Sequence, residues 1–109
     1  MRADRLKAIV KQAESDFKAL AEKRGHRATG IFSFGATDIH PRHLAFWLTF
    51  ADDAGRDRFF EDGAAHAAMR ARLVTLGYPE HAVPNVGITA ESQETVDRDF
   101  QGNWWHAVK

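Results

Sequence analysis

A chain of 109 residues with 44% hydrophobic and 28% charged side chains has the composition of one folded domain with its own core, unlike a disordered or membrane-spanning chain. It has no cysteine, which excludes disulfides, thiolate nucleophiles and cysteine-ligated zinc, and a cytoplasmic setting is expected. The formal net charge is zero, yet residues 1–27 hold eight Lys/Arg against four Asp/Glu, so the rest of the chain is mildly acidic. A basic run of this kind is ordinarily a solvated helix face, and the neutral whole weighs against nucleic acid as the partner. No apolar stretch approaches the ~18 residues of a membrane span, and the N-terminal segment lacks the apolar core of a secretory signal.

Leu6, Ile9, Val10, Ala13, Phe17 and Leu20 form one stripe at helical period, which predicts a long amphipathic helix over residues 4–24. Asp4 is placed to cap its start, Lys23 and Arg24 suit its C-terminal end, and Gly25 can close it in a left-handed conformation. Ala28 to Thr37 reads as a strand, with Phe32 and Phe34 as its core residues. Thr37, Asp38, His40 and Pro41 are turn residues.

The strongest strand is His43 to Phe50. Leu44, Phe46, Leu48 and Phe50 fall on one face, and His43, Ala45, Trp47 and Thr49 on the other. Burying each of the four large apolar side chains is worth about 1.5 to 3 kcal/mol. The two strands together predict an antiparallel hairpin.

Asp52 and Asp53 can cap a helix that runs, with a break near Gly63, to Leu76 and ends at Gly77. Tyr78 to Pro84 predicts a loop with room for one helical turn. Val86, Ile88 and Ala90 alternate in a further strand, and Ser92 caps a short helix carrying Val96 and Phe100 that ends at Gly102-Asn103. Trp104 to Val108 is expected to be a last strand. The order is met most simply by an α+β fold, one domain over residues 1–109: a four-stranded, mostly antiparallel sheet with two main helices on one face, in ferredoxin-like layering.

If those helices cover Phe32, Phe34, Phe46, Leu48, Phe50, Val86 and Ile88, the opposite face gains Ser33, Gly35, Ala45, Trp47, Thr49, Gly87 and Thr89. A tryptophan among small residues is an unusual make-up for a strand face open to water. One of Trp104 and Trp105 should join it, with His106. The expected binding set is therefore Ser33, Arg42, His43, Trp47, Thr49, Trp104, Trp105 and His106. A terminus folded over this face as a minor second core is the competing structural explanation.

The chemistry-bearing patterns are sparse. His40-x-x-His43 is the only close pair among six histidines, Pro41 interrupts it, and no HExxH accompanies it, so no metal site is expected. The candidates for acid-base chemistry are the carboxylates Asp38, Asp52, Asp53, Glu61 and Asp62 with His40, His43 or His106, but each carboxylate has an ordinary role as a cap or in a turn. Ser33-Phe34-Gly35 lacks the frame of a nucleophile elbow, no glycine pattern cradles phosphate, and no cofactor is expected. Trp47 has no basic neighbour between Arg42 and Arg56, unlike the aromatic platforms that bind single strands.

These readings favour a small non-enzymatic interaction protein, such as an adaptor, inhibitor or antidote-like regulator, that binds another protein or a second copy of itself through the open sheet face. The alternative is a small-ligand binder or enzyme in which Trp47, Trp104 or Trp105 stacks a flat substrate and Arg42, His43 or His106 supplies polar contacts. Nucleic-acid binding through the basic first helix ranks third.

Overall fold

The computed structural model describes residues 2–35 and 40–108. Its elements are α1 (Arg2–Lys23), β1 (Gly30–Phe34), β2 (Ala45–Phe50), α2 (Asp53–Glu61), α3 (Gly63–Leu76), β3 (Gly87–Ser92), α4 (Gln93–Phe100) and α5 (Trp104–Val108), with 3-10 turns at Pro41–His43 and Val83–Asn85. The class is α+β. The expected four-stranded, mostly antiparallel sheet is corrected to three strands in the order β1-β2-β3, with β1 antiparallel and β3 parallel to the central β2.

Two physical causes account for the difference. The helical segment between β2 and β3 is a crossover: α2 and α3 carry the chain back to the end of the sheet where β2 began, so β3 starts beside β2 and runs with it. The expected last strand is instead the short helix α5. Asn103 accepts a hydrogen bond from the His106 N–H in its first turn, and the Trp104 ring docks edge-on against Phe32. The Thr37 and Asp38 turn, including Asp38 as a candidate carboxylate, lies outside the described residues.

The core lies between the sheet and α1 to α3. Phe46, Leu48 and Phe50 of β2 and Ile88 and Ala90 of β3 meet Leu6, Ile9, Ala13 and Phe17 of α1, Phe59 of α2, and Met69 and Leu73 of α3. Phe17 lies on Phe46 with ring centroids 4.7 Å apart, and Phe59 on Phe50 at 5.7 Å. The α1 helix closes as its sequence predicts: the His26 N–H reaches the Ala21 carbonyl, the Gly25 N–H reaches Glu22, and Gly25 has φ +87°. Asp4 lies inside the first turn rather than before it, because the helix begins at Arg2.

The break near Gly63 is where the sequence predicts it, and Asp62 makes it. Its backbone caps the end of α2, and its carboxylate accepts from the Ala65 N–H at the start of α3. The expected helical turn before β3 is the one at Val83–Asn85, where the Arg70 guanidinium donates to the Val83 and Val86 carbonyls at 2.7 and 2.8 Å. The buried Tyr78 hydroxyl donates to the Pro41 carbonyl, tying this turn to the one that precedes β2. No helix among the described residues is long and apolar enough to cross a membrane.

Candidate interaction face

The register of β1 decides what the uncovered face of the sheet displays. Phe32 pairs with Trp47, and Ser33 pairs with Phe46. Directly paired residues share a face, so Phe32 and Phe34 stand with Trp47, and Ser33 stands with the core residues under α1. The expectation that Phe32 and Phe34 join the core while Ser33 lines the open face is therefore reversed. The Ser33 hydroxyl donates to the Glu14 carboxylate of α1 at 2.7 Å, which satisfies the polar group that this register turns inward.

On the open face the rings form a ladder. Phe34 and Phe32 stack at 6.3 Å with 16° between planes, and Phe32 and Trp47 at 6.4 Å with 7°. Trp104 of α5 closes one flank, its centroid 6.4 Å from Phe32 at 89°, while its Nε1–H donates to the Gln93 side chain of α4. Phe34 remains 46% exposed at the free end of the ladder, so the terminal helix covers the face only in part. The Trp47 Nε1–H is buried with no acceptor among the described residues. Thr49 lies on the same face, its hydroxyl 2.7 Å from that of Thr29.

The other members of the expected set are spread out. Trp105 is 67% exposed and turned away from the core, and His106 is exposed beside it on α5. Arg42 and His43 are the exposed residues of the 3-10 turn before β2. There the fold brings a third histidine, with the His40 ring 6.2 Å from His43 and 5.8 Å from His81. His40 Nδ1 accepts the Arg42 N–H at 3.1 Å and so caps the turn. No group of three ligating side chains among the described residues is arranged to hold a metal ion.

Two carboxylates that the sequence presents as simple caps organise the ends of the parallel strands. Asp52 caps α2 through the Gly55 N–H at 2.8 Å, as expected. Asp53 accepts from the hydroxyls of Ser92 and Thr95 and from Arg98, while Arg56 joins Glu91 and Thr95 at 2.6 and 2.8 Å. The Ser92 and Thr95 hydroxyls, followed by Arg98 and Arg56, hold the Asp53 carboxyl far below the ordinary carboxylate range. Every partner in this cluster is spoken for within the fold, so its work is to tie the start of α2 to the start of α4.

A second cluster was hidden from sequence reasoning because its members come from separate elements. Asp62 receives both nitrogens of the Arg24 fork at 2.7 Å and His26 Nε2 at 2.8 Å. The Arg24 fork first, then His26, drives the Asp62 carboxyl far below its ordinary value. The only sequence signal was His26 standing directly after a helix-ending glycine. Comparison with protein-family models, with curated proteins and with solved structures finds no match for this chain.

Proposed function

We propose that this chain is a small protein-binding module, an adaptor, inhibitor or antidote-like regulator of the cytoplasm, whose working surface is the aromatic ladder Phe34-Phe32-Trp47. The observation that carries the reading is the exposure of Phe34 at the end of a stack that the main helices leave uncovered. A large aromatic side chain kept 46% in water forgoes much of the stabilisation it would gain by burial, and a protein partner laid on the ladder recovers it. Aromatic side chains with a polar atom at the edge, such as Trp47 and Trp104, are the type that dominates binding energy in protein interfaces. The favoured partner is a different protein presenting an apolar side chain to the ladder.

The test is site-specific photo-crosslinking from position 34, with the exposed Ala67 of α3 as the control position. The expected result is a discrete adduct from position 34 alone, lost in competition with wild-type chain and undiminished by competition with Phe34→Glu. An adduct of twice the chain mass, with light scattering showing a dimer that Phe34→Glu dissociates, makes the occupant a second copy. No adduct, or equal adducts from both positions, overturns the reading.

A further inference from the structure

On the side of the molecule where β2 ends, a cavity of about 370 Å³ lies between the connector after α1 and the first turns of α2. It is lined by Gly25, His26 and Arg27 of the connector, Phe50 and Ala51 at the end of β2, and Asp52, Gly55 and Arg58 at the start of α2. The volume is at the small end of the range for sites that hold small molecules. Its place, outside the carboxyl end of a strand with a parallel neighbour, is where ligands gather in sheets of this kind.

Two of its lining residues, Arg27 and Arg58, carry guanidinium groups that no carboxylate among the described residues holds. Arg24, Arg56, Arg72 and Arg98 are each committed to a carboxylate, whereas Arg27 and Arg58 have no such partner among the described residues. Arg58 reaches back along its own helix, with Nη2 3.8 Å from the point a side chain at Gly55 would occupy, so its guanidinium stands over the cavity wall. His26 is nine-tenths buried and commits Nε2 to Asp62, leaving Nδ1 as the ring's remaining polar atom. Asp52 is the one carboxylate of the lining, and its Oδ1 is already engaged by the Gly55 N–H.

We infer that this cavity binds a small molecule through an anionic group, a phosphate or a carboxylate, held between Arg27 and Arg58. Guanidinium groups not already held by a carboxylate are suited to bind phosphate or carboxylate oxygens. The Phe50 ring suits a short carbon skeleton, and the free oxygen of Asp52 suits a hydroxyl or amine on it. The site is independent of the aromatic ladder, so either can fail without the other.

The experiment is NMR titration of the isotope-labelled chain with inorganic phosphate and, separately, with succinate, each against chloride at matched ionic strength. The expected result is saturable movement of the His26, Ala51 and Gly55 amides with at least one of the two anions. Phosphate alone assigns a phosphate ester, and succinate alone a carboxylate. In the Arg27→Gln/Arg58→Gln double variant affinity falls about tenfold or more, with the melting temperature in chloride unchanged, because both arginines are exposed and unpaired. If the double variant does not fold, the two single variants take its place. Absence of saturable movement with both anions, movement away from the cavity, or affinity unaltered in the variants overturns the inference.

Discussion

The Ser92 hydroxyl and the Asp53 carboxylate are hydrogen bonded across the carboxyl ends of the two parallel strands, joining the last residue of β3 to the first residue of α2. Glu94 completes the join in both directions: its side chain accepts the Asp53 N–H at 2.9 Å, and its own N–H donates to the Ala51 carbonyl at 3.2 Å. The start of α4 is thereby fixed to the start of α2.

Acid should undo this join and the Asp62 cluster together. Both carboxyls titrate below the ordinary value of 3.8 when folded and return to it when unfolded. The unfolded chain therefore binds more protons in that interval, and stability falls as pH drops. Their contribution is complete above the ordinary value and is lost progressively below it. Urea denaturation between about pH 6 and about pH 3 checks this, and Asp53→Asn is expected to flatten the acid limb of the curve.

Gly35 and Gly25 both hold positive φ, but substitution should cost different amounts. A Cβ at Gly35 would stand 1.9 Å from the His43 carbonyl oxygen, and at Gly25 nothing lies within 4 Å. Gly25→Ala carries the left-handed strain alone, about 1 to 2 kcal/mol. Gly35→Ala adds a backbone collision between the ends of β1 and β2 and is expected to exceed that value. Equilibrium denaturation of the two variants decides the order.

The two faces of the sheet should respond differently to the loss of an aromatic ring. Phe17 is fully buried against Phe46, so Phe17→Ala is expected to cost about 3 to 5 kcal/mol through the cavity it leaves. Phe34→Ala removes a half-exposed ring and should cost less, about 0.5 to 1.5 kcal/mol from its stack with Phe32 beyond the area it buries. Near-equal costs by chemical denaturation would contradict this assignment of faces.

Trp104 anchors a helix that has no buried residue of its own. Trp104→Ala should detach α5, costing about 0.5 to 1.5 kcal/mol for the ring contact with Phe32. Acrylamide quenching of Trp47 should rise in that variant, and limited proteolysis should cut near Gly102. In Trp104→Phe, which keeps the edge contact but loses the bond to Gln93, both changes should be smaller.

Much of the fold was legible because single-element physics decides it. The β2 alternation, the α1 stripe, the Asp52 and Ser92 caps and the break at Gly63 need no knowledge of neighbours. The register of β1 does need it. Apolarity favours turning Phe32 and Phe34 inward, but pairing with β2 sets Ser33 under α1, where Glu14 makes the choice tolerable. The direction of β3 likewise follows from a crossover, and the state of Trp104–Val108 from an Asn103 cap and a docked ring, none of which a five-residue pattern encodes. Trp47 stood out as a member of the open face because a bulky aromatic among small residues is visible in sequence, whereas the choice between Trp104 and Trp105 was not. His26, Arg27 and Arg58 did not, since only the closure of α1 and the start of α2 bring them to one cavity.

One side chain governs the shape of the return path from β2 to β3. Asp62 ends α2, begins α3, and is gripped by Arg24 and His26 from beyond the end of α1. These contacts oppose swivelling at the junction. The two helices behave as a single bent bracket of fixed angle, whose one arm is bolted to β3 and α4 at Asp53 and whose elbow is bolted to the first helix at Asp62.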